Sequence, residues 1–455
     1  MKAGKIICII LFSVPVIFCS CKRADEKITT SHSAELEFSA DTILFDTIFS
    51  TIGSTTQAFF VFNRNKNAVK ISSVRLGGMA TSSYTITING DQTYSKSDIE
   101  INGKDSILVL VKVLINPQSQ NLPYLVADSV IFNTNENIQQ VKLVAYGQDA
   151  NFLNNVTLPC NSTWNSAKPY VIYNTVTVPA GCTLTIGKGV KVFSHKNSFL
   201  DVKGTLLVQG LPDSLVRFYG DNLTNSYSDL PGQWGGIIIE SGSKNNAIDW
   251  AYIKNAVTGI TMKQEAADAD TIGELVISNS IIKNMSGKGI DATGTDLYAY
   301  NCLITNCADN VVSGTGGGNY FFTHCTLADY SFTFFRSTPA VQLSNFSSTV
   351  SGTLYSRLIN TVIYGDLGND ELGLGDNGTS GFDIRADNCL IKKSSAVNGS
   401  NNLNTDPKFQ NPARLDFHPN STGSPLINGG KITSITHDLD NKIRDAAPDI
   451  GAYEK

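Results

Sequence analysis

A short pattern of polar, small and large apolar residues recurs between Trp250 and Ser395. Six copies are present, which read WAYIKN at Trp250, NSIIKN at Asn279, NCLITN at Asn301, HCTLAD at His324, NTVIYG at Asn360 and NCLIKK at Asn388. Their starts lie 29, 22, 23, 36 and 28 residues apart. A spacing near 22 residues, with insertions, is typical of a solenoid whose turns bury their apolar sides only against one another. The pattern therefore predicts a right-handed parallel β-helix.

Each copy also predicts which side chains point inward. Strand side chains alternate between two faces, so a small residue and a large apolar residue two positions later should face the interior together. Free cysteine mostly behaves as a small buried hydrophobe, so we expect the cysteines to be structural rather than ligands. The small set is Ser280, Cys302, Cys325, Thr361 and Cys389, and the large set is Ile282, Ile304, Leu327, Ile363 and Ile391.

The polar residue that opens each copy is expected at a bend. There it would stack on its equivalent about 4.8 Å away in the next coil. A ladder of this kind satisfies amide groups that could not otherwise be buried. Its predicted members are Asn279, Asn301, His324, Asn360 and Asn388.

The residues predicted to face outward from the same strands are mostly apolar. An exposed apolar stripe would be an interaction surface, and a covered one needs a segment of the chain over it. The insertion from Gly365 to Gly381 and the C-terminal tail are the two candidate covers. We favour covering by the chain itself over a groove for a partner. The stripe consists of Tyr252, Ile281, Leu303, Thr326, Val362 and Leu390.

Composition agrees with an all-β chain. Only 16% of the 455 residues are charged, and the abundant Thr, Asn, Ser and Gly suit strands and tight turns. The formal net charge of -5 gives no general attraction for nucleic acid, so a nucleic-acid partner is not expected.

Residues 1–21 have the properties of a secretory signal. Lys2 and Lys5 precede an apolar run that is too short to span a bilayer. The run ends in Phe18-Cys19-Ser20-Cys21, which resembles a bacterial lipobox, although Phe18 stands where Leu or Val is usual. The resemblance implies lipidation of Cys21 and a membrane contact through the lipid anchor alone. A plain signal peptide cut nearby is the alternative.

Residues 22–35 are predicted to be a tether. The charged run Lys22–Lys27 resembles the tags that follow the lipidated cysteine in surface-exported lipoproteins. That resemblance implies a place in the outer membrane, at the cell surface.

Residues 36–150 are predicted to form an antiparallel β-sandwich. Alternating stretches such as Thr42–Phe49 and Gln57–Phe62 are separated by turn residues. FDTIFSTIGSTTQAFFVFN and the closing VKLVAYGQDA resemble immunoglobulin-like domains that precede β-helices in bacterial surface lipoproteins. A spacer or weak binding module is the interpretation we prefer.

Residues 151–455 are assigned to the β-helix and its capping segment. LTIGKGVKVF, LDVKGTLLVQG, QWGGIIIE and AYIKNAVTGI resemble right-handed β-helix repeat proteins of the pectate-lyase-like superfamily, over residues 165–455. In the closing DLDNKIRDAAPDIGAYE, Arg444 and Asp449 are expected to fasten the tail as a pair. Near the start of this region, Cys160 and Cys182 either form a disulfide or stay free.

That resemblance implies two classes of function. Many relatives cut acidic polysaccharides by removing a proton next to a uronate carboxylate, which needs a base and a cation. Lys254 and Lys283 occupy equivalent repeat positions and are the candidate catalytic residues, although exposed solubilising charge is the plainer interpretation. The chain has no Asp-Asp pair and no Gly-His-Gly, which weakens the resemblance to polygalacturonases.

We therefore expect a surface-anchored protein that binds glycan or extracellular matrix without catalysis. A polysaccharide lyase or glycoside hydrolase acting on acidic polysaccharide is the alternative. The candidate ligand-binding residues are Tyr252, Tyr298, Tyr300 and Tyr320. No cofactor is required, but an acidic insertion offers carboxylates that calcium prefers, namely Asp366, Asp370, Glu371 and Asp376.

Overall fold

The computed structural model describes residues 26–263, 275–330, 332–368 and 370–455. The predicted signal peptide, Cys21 and the first tether residues, 22–25, lie outside the described residues. Within them the chain is all β, interrupted by the 3-10 turns Met79–Thr81, Asn225–Tyr227 and Pro412–Arg414. None of these described turns is long and apolar enough to cross a membrane.

The chain divides into two compact units. The first contains the described residues up to Phe45, together with Gly53–Leu114 and Val126–Ala145. The second contains Asp46–Ile52, Ile115–Leu125 and Tyr146–Lys455.

Two sheets account for the N-terminal strands. The first has the order Ile28–Thr29, Ala68–Leu76, Tyr124–Thr134, Asn137–Gln148 and Thr42–Phe49, with Ser95–Ile101 also paired to Ala68–Leu76. The second has the order Glu37–Phe38, Gln57–Phe62, Ser106–Val113, Tyr84–Ile88 and Asp91–Thr93, and its strands pair antiparallel.

The alternating pattern of apolar and polar residues predicted some of these strands and missed others. Thr42–Phe49 and Gln57–Phe62 are confirmed to the residue. Ala68–Leu76 and Ser95–Ile101 were missed, because serines and charged residues fill their outward positions and hide the alternation. Their inward residues, such as Ile71, Val74 and Ile99, are nevertheless buried.

From Asn151 onward the strands pair in parallel, and the chain winds into the predicted parallel β-helix. Each coil contributes one strand to each of three parallel ladders, which we call sides A, B and C. Asn151–Thr157 pairs with Tyr170–Val178, and that long strand starts both side A and side B. The remaining hairpin, Phe409–Asn411 with Asp416–Pro419, lies in the C-terminal tail.

The bounds of the strands follow the ladders. Side A contains Lys191–Ser194, Val216–Gly220, Ala251–Lys254, Ile281–Met285, Leu303–Cys307, Thr326–Asp329, Val362–Gly365 and Leu390–Ile391. Side B contains Phe199–Val202, Gly236–Ile239, Ile260–Met262, Ile290–Thr293, Val312–Thr315, Val341–Ser344 and Leu372–Gly375. Side C contains Ser162–Trp164, Thr183–Ile186, Thr205–Gln209, Asn246–Asp249, Leu275–Ser278, Leu297–Tyr300, Gly318–Thr323, Leu354–Ile359, Phe382–Asp387 and Gly399–Ser400.

The interior of side A follows the predicted register. Ile282 pairs with Ile304, and that residue with Leu327, so like residues stack from coil to coil. Each fully buried Ile or Leu stabilises the fold by about 1.5–3 kcal/mol. Cys302, Cys325 and Cys389 lie in the same core and are almost fully buried.

The predicted polar ladder lies at the bend between side C and side A. All five members have positive φ, a left-handed conformation that asparagine tolerates better than most residues. Asn301 donates its Nδ2 hydrogen to Asn279 Oδ1 at 2.8 Å. Asn360 Nδ2 lies 2.9 Å from His324 Nε2, and Asn388 Nδ2 donates to the Gly429 carbonyl. The ladder therefore turns the chain and satisfies buried amides at once.

A second asparagine ladder, which the sequence did not lead us to expect, lies at the bend between side A and side B. Asn255, Asn284 and Asn306 also have positive φ, and Asn306 Nδ2 donates to Asn284 Oδ1 at 2.7 Å. The sequence signal for this second ladder is the final Asn of the first three copies of the repeat. It was missed because the fourth copy ends in Asp329 instead.

The C-terminal tail covers most of the outward apolar stripe. Leu303, Val362 and Leu390 are almost fully buried in one cluster with side chains of the tail. Covering by the chain itself is thus confirmed for this part of the stripe. The insertion Gly365–Gly381 is not a cover, because its Leu372–Gly375 segment is a strand of side B. The covering side chains are Phe409, Phe417, Leu426, Leu439, Ile450, Ala452 and Tyr453.

Polar contacts fasten this tail to the ladder. Arg444 donates to Asn301 Oδ1 at 3.0 Å and pairs with Glu454 at 3.1 Å. The expected pairing of Arg444 with Asp449 is therefore replaced by Glu454, while Asp449 accepts the backbone N–H groups of Asn428 and Lys455. At the other end of the β-helix, Cys160 and Cys182 form a disulfide.

His324 makes the β-helix sensitive to acid. Burial, and then the charge of Arg444, lowers the pKa of His324 to about 3, against 6.5 in an exposed side chain. Since the unfolded chain binds this proton more readily, stability should fall as the pH drops below 6.5, by about 1.4 kcal/mol per pH unit at most. We predict that His324→Asn, which restores the commonest ladder residue, flattens this loss between pH 7 and pH 4.5 in urea unfolding. An equal loss in both proteins would contradict the assignment.

Candidate functional site

A cleft of about 480 Å³ opens on side A, beside the first coils. It lies against the strands Lys191–Ser194, Val216–Gly220 and Ala251–Lys254, where the segment that follows Gly220 forms one wall. Its principal lining side chains are Lys191, Phe193, Arg217, Tyr219, Asn222, Ser228, Gln233, Lys254 and Asn255.

Register explains why cations meet here. Lys191 pairs with Arg217, and Arg217 with Tyr252, in the same outward row that continues as the covered apolar stripe. Two residues further along the strands, Lys254 pairs with Lys283. Because parallel strands lie about 4.8 Å apart, these positive side chains are held next to one another.

Lys254 lies at the side of the cleft. Its Nζ is 5.0 Å from the centre of the Tyr219 ring and 3.1 Å from Asp229 Oδ1, and it also donates to the Ser228 carbonyl. Its side chain is only 14% exposed, whereas that of Asp229 is 66% exposed. The plainer interpretation, an exposed solubilising charge, is therefore wrong for Lys254.

Lys283 is the more unusual of the two lysines. Burial lowers the pKa of Lys283 below its ordinary value, and the charge of Asp229 only partly opposes this. Its Nζ lies 5.4 Å from the centre of the Tyr252 ring and donates no hydrogen bond to any residue that the structure describes. A partly desolvated amine of this kind is neutral more often than a surface lysine.

Each lysine lies over a different tyrosine ring, Lys254 over Tyr219 and Lys283 over Tyr252. The rings of Tyr219 and Tyr252 meet edge to face with centroids 5.7 Å apart, and burial raises the pKa of both phenols above the usual range. Tyr252 was predicted as a ligand-binding residue. Lys191, Arg217 and Tyr219 were missed, because the repeats were recognised only from Trp250 onward and the register of the first coils was unknown.

The cleft lacks the groups of a typical glycoside hydrolase. Such enzymes use two carboxyl groups that flank the scissile bond. Among the described lining residues there is no Asp or Glu. Asp229 stands at the rim on Lys254, and Asp221 is bound to His195 Nδ1 at 2.7 Å. The arrangement favours binding of an anion over hydrolysis by a carboxylate pair.

The other predicted tyrosines do not join this cleft. Tyr298, Tyr300 and Tyr320 belong to strands of side C. Tyr320 is fully buried and donates its hydroxyl to the Gly317 carbonyl, so its prediction as a ligand-binding residue is wrong. Tyr298 stacks on Phe321, and Tyr300 is partly exposed, with a pKa that burial raises.

The acidic insertion does not form the calcium site that its composition suggested. Asp370 pairs with Lys393 at 2.8 Å, a contact that lowers the pKa of this carboxyl to about 2. Asp376 accepts hydrogen bonds from Asn345 and from the Gly378 N–H. In the part of the chain that the structure describes, no three His, Cys, Asp or Glu side chains are placed to hold a metal ion.

The other two acids of the insertion face Arg336. Glu371 accepts two hydrogen bonds from the Arg336 guanidinium, at 2.8 and 3.0 Å, and Asp366 lies 3.7 Å from it. Asp329 approaches the same guanidinium at 3.6 Å, and burial raises its pKa to about 8. One cation thus lies beside two buried carboxyls, and burial favours the protonated form of Asp329. This cluster is structural, and the sequence pattern did not predict that its members lie together.

Removing the charge of Glu371 should show how strongly the insertion depends on it. Glu371→Gln leaves the buried Arg336 without its best partner, which should cost about 3–5 kcal/mol. Asp376→Asn is the matched control, because Asp376 is exposed and its substitution should change stability by less than about 0.5 kcal/mol. Urea unfolding measures both, and equal effects would contradict the role given to the buried pair.

Solved structures resemble the chain only distantly. The catalytic unit of a thermostable GH87 alpha-1,3-glucanase from Streptomyces thermodiastaticus is 10% identical, with 76% of each chain covered and a TM-score of 0.32. The Streptococcus pneumoniae surface protein and adhesin PfbA is 12% identical, with 56% of this chain and 78% of that chain covered and a TM-score of 0.22. A protein of unknown function from Porphyromonas gingivalis is 15% identical with a TM-score of 0.18, and the match covers 25% of this chain and 46% of that chain.

The match to the Porphyromonas gingivalis protein thus spans less than half of that protein's length. No family model matches the chain, and no curated protein matches it. At these values the likenesses identify neither a family nor an activity.

Proposed function

We propose that this chain is a lipid-anchored protein of the cell surface, whose β-helix binds acidic glycan through the side A cleft without altering it chemically. In this proposal Cys21 carries the lipid, in the outer membrane. The two N-terminal sheets form an immunoglobulin-like sandwich that acts as a spacer. An extracellular acidic polysaccharide is the partner.

The excess of positive charge in the cleft carries the proposal. Lys191 and Arg217 form no ion pair with any carboxylate that the structure describes, and Lys254 has only the exposed Asp229. Hydrogen bonds from such cations to carboxylate or sulfate groups are about twice as strong as those between neutral groups. The rings of Tyr219 and Tyr252 offer apolar surface beside these charges.

The spacing of the cations favours an extended polymer. The strands fix them at intervals of about 4.8 Å on a rigid ladder, so repeating negative groups along a chain can meet several cations together. The net charge of -5 means that the rest of the surface repels any polyanion, so attraction for an acidic polymer is confined to the cleft.

Removing a positive charge from the cleft should weaken glycan binding, whereas removing one elsewhere on the β-helix should not. We predict that Arg217→Gln and Lys254→Gln each weaken binding to polygalacturonate, alginate or chondroitin sulfate by at least about tenfold, the loss expected from a charged hydrogen bond. Lys188→Gln, an exposed lysine of the β-helix outside the cleft, is the matched control. Affinity electrophoresis measures the binding, which should also weaken with added salt.

Thermal unfolding of the same variants checks that the fold is intact. Equal effects of all three substitutions, or no binding of any of the three polymers by the unmodified protein, would overturn the proposal.

A polysaccharide lyase is the second candidate, favoured by one observation. Lys283 combines a lowered pKa with an Nζ that has no hydrogen-bond acceptor among the described residues, directly beside Lys254. In a lyase, the neutral Lys283 amine would take the C5 proton next to a uronate carboxylate, while Lys254 and Arg217 would stabilise the negative charge that develops. The C4–O bond would then break to give the C4=C5 double bond, and the departing sugar oxygen would take up a proton and leave as a hydroxyl.

Lys283→Arg separates the two candidates. Arginine keeps the positive charge at all working pH values but cannot act as a base. If the protein is a lyase, unsaturated uronate should form with the unmodified chain, faster as the pH rises and Lys283 loses its proton, and should not form with Lys283→Arg. The binding function predicts no unsaturated product from either protein, and binding within about twofold for both. Ultraviolet absorbance of the product measures the outcome.

A further inference from the structure

The outer face of side C carries a continuous row of apolar and aromatic side chains. Register places Val276, Tyr298 and Phe321 directly over one another on successive strands. The row begins at Leu207 and Ala247, and Val276 is 37% exposed. Phe321 is partly exposed, unlike the buried Phe322 beside it.

The rings of this row form a rigid platform. Tyr298 and Phe321 are nearly parallel, at 3°, with centroids 4.8 Å apart. The Tyr355 ring lies 5.8 Å from Phe321, and the Arg357 guanidinium covers Tyr355 at 3.7 Å. The stacking repeats the distance between strands, so the platform runs along the axis of the β-helix.

Polar side chains run parallel to the rings. Two residues beyond the aromatic row, Ser278 pairs with Tyr300 and Tyr300 with Thr323. Their outward side chains all carry hydroxyl groups, which both donate and accept hydrogen bonds. Because Tyr298 and Phe321 stack face to face, these partly exposed side chains present a narrow apolar strip beside a ladder of hydroxyls.

The arginines on this face are paired with carboxylates, while Asp249 accepts hydrogen bonds from Ser278 Oγ at 2.8 Å and from Asn279 Nδ2 at 2.7 Å. Arg357 pairs with Asp383 at 2.7 Å, and Arg385 with Asp387 at 3.1 Å. This differs from the side A cleft, where Lys191 and Arg217 have no such partners. Because the described arginines of side C are already paired, this face suits a neutral occupant better than an acidic one.

We infer that the outer face of side C is a second binding surface, which takes a neutral polysaccharide chain lying along the axis of the β-helix. The apolar faces of the sugars would pack against the partly exposed side chains of Phe321 and Tyr355, and the sugar hydroxyls would meet Ser278, Tyr300 and Thr323. The inference does not depend on the side A cleft, because it uses different residues and a different class of ligand.

Affinity electrophoresis tests it with four soluble neutral polysaccharides: mixed-linkage β-glucan, xylan, glucomannan and dextran. At least one should retard the unmodified protein. Phe321→Ala and Tyr355→Ala should each weaken that retardation about fivefold or more, as expected for loss of a stacked ring. Phe335→Ala removes an aromatic residue that is 97% exposed outside side C, and should have no effect.

Phe321→Leu keeps most of the apolar volume but has no flat ring. It replaces Phe321→Ala in the binding test if the alanine variant does not fold. It should weaken binding as Phe321→Ala does. Arg217→Gln should leave the retardation by neutral polysaccharides unchanged. The test of the side C surface is therefore independent of the test of the side A cleft.

Three outcomes would overturn the inference. One is no retardation by any of the four neutral polysaccharides, and another is an equal loss with Phe335→Ala. The third is self-association of the protein, measured by analytical ultracentrifugation, that Phe321→Ala abolishes without changing any retardation. That result would assign the face to a second copy of the chain instead.

Discussion

In-register pairing of parallel strands is the constraint on which the β-helix depends. It places each side chain over its equivalent in the next coil, so a residue type that suits one coil must suit its neighbours. Inside, this stacks Ile282 on Ile304 and buries the cysteines beside them. At the bends it aligns asparagine amides, and outside it turns single residues into rows. The rows on sides A and C are therefore products of the same pairing that holds the core together.

The C-terminal tail decides which part of the outer face is available. From Leu303 to Leu390 the stripe is apolar and lies under the tail, so it behaves as a second core. Before Ile281 the row changes to Tyr252, Arg217 and Lys191, and there the cleft opens. A change of chemistry along one row thus coincides with a change from covered to open surface. The tail itself is fixed by Arg444, which reaches the ladder residue Asn301.

Charges are treated differently in the structural and candidate functional regions. Arg336 and Arg444 are buried, and each has a carboxylate partner, because a buried charge without a partner destabilises the fold strongly. On side C the arginines are also paired. The cleft on side A departs from this rule, since its cations outnumber nearby carboxylates. An arrangement that repels itself without a ligand is the physical basis of the proposed acidic partner.

The sequence by itself determined the parallel β-helix, its inward residues, the first asparagine ladder and the existence of an apolar outward stripe. These features are local, because strand alternation and a short repeat specify them without knowledge of distant contacts. Only the tertiary structure decided what covers the stripe, and that Arg336 gathers the acids of the insertion. It also decided that Lys254 lies over Tyr219 and lines one cleft with Arg217, since both partners lie in coils whose register the repeat does not reveal. Burial and charge pairing depend on neighbours far apart in the chain, so no local pattern encodes them.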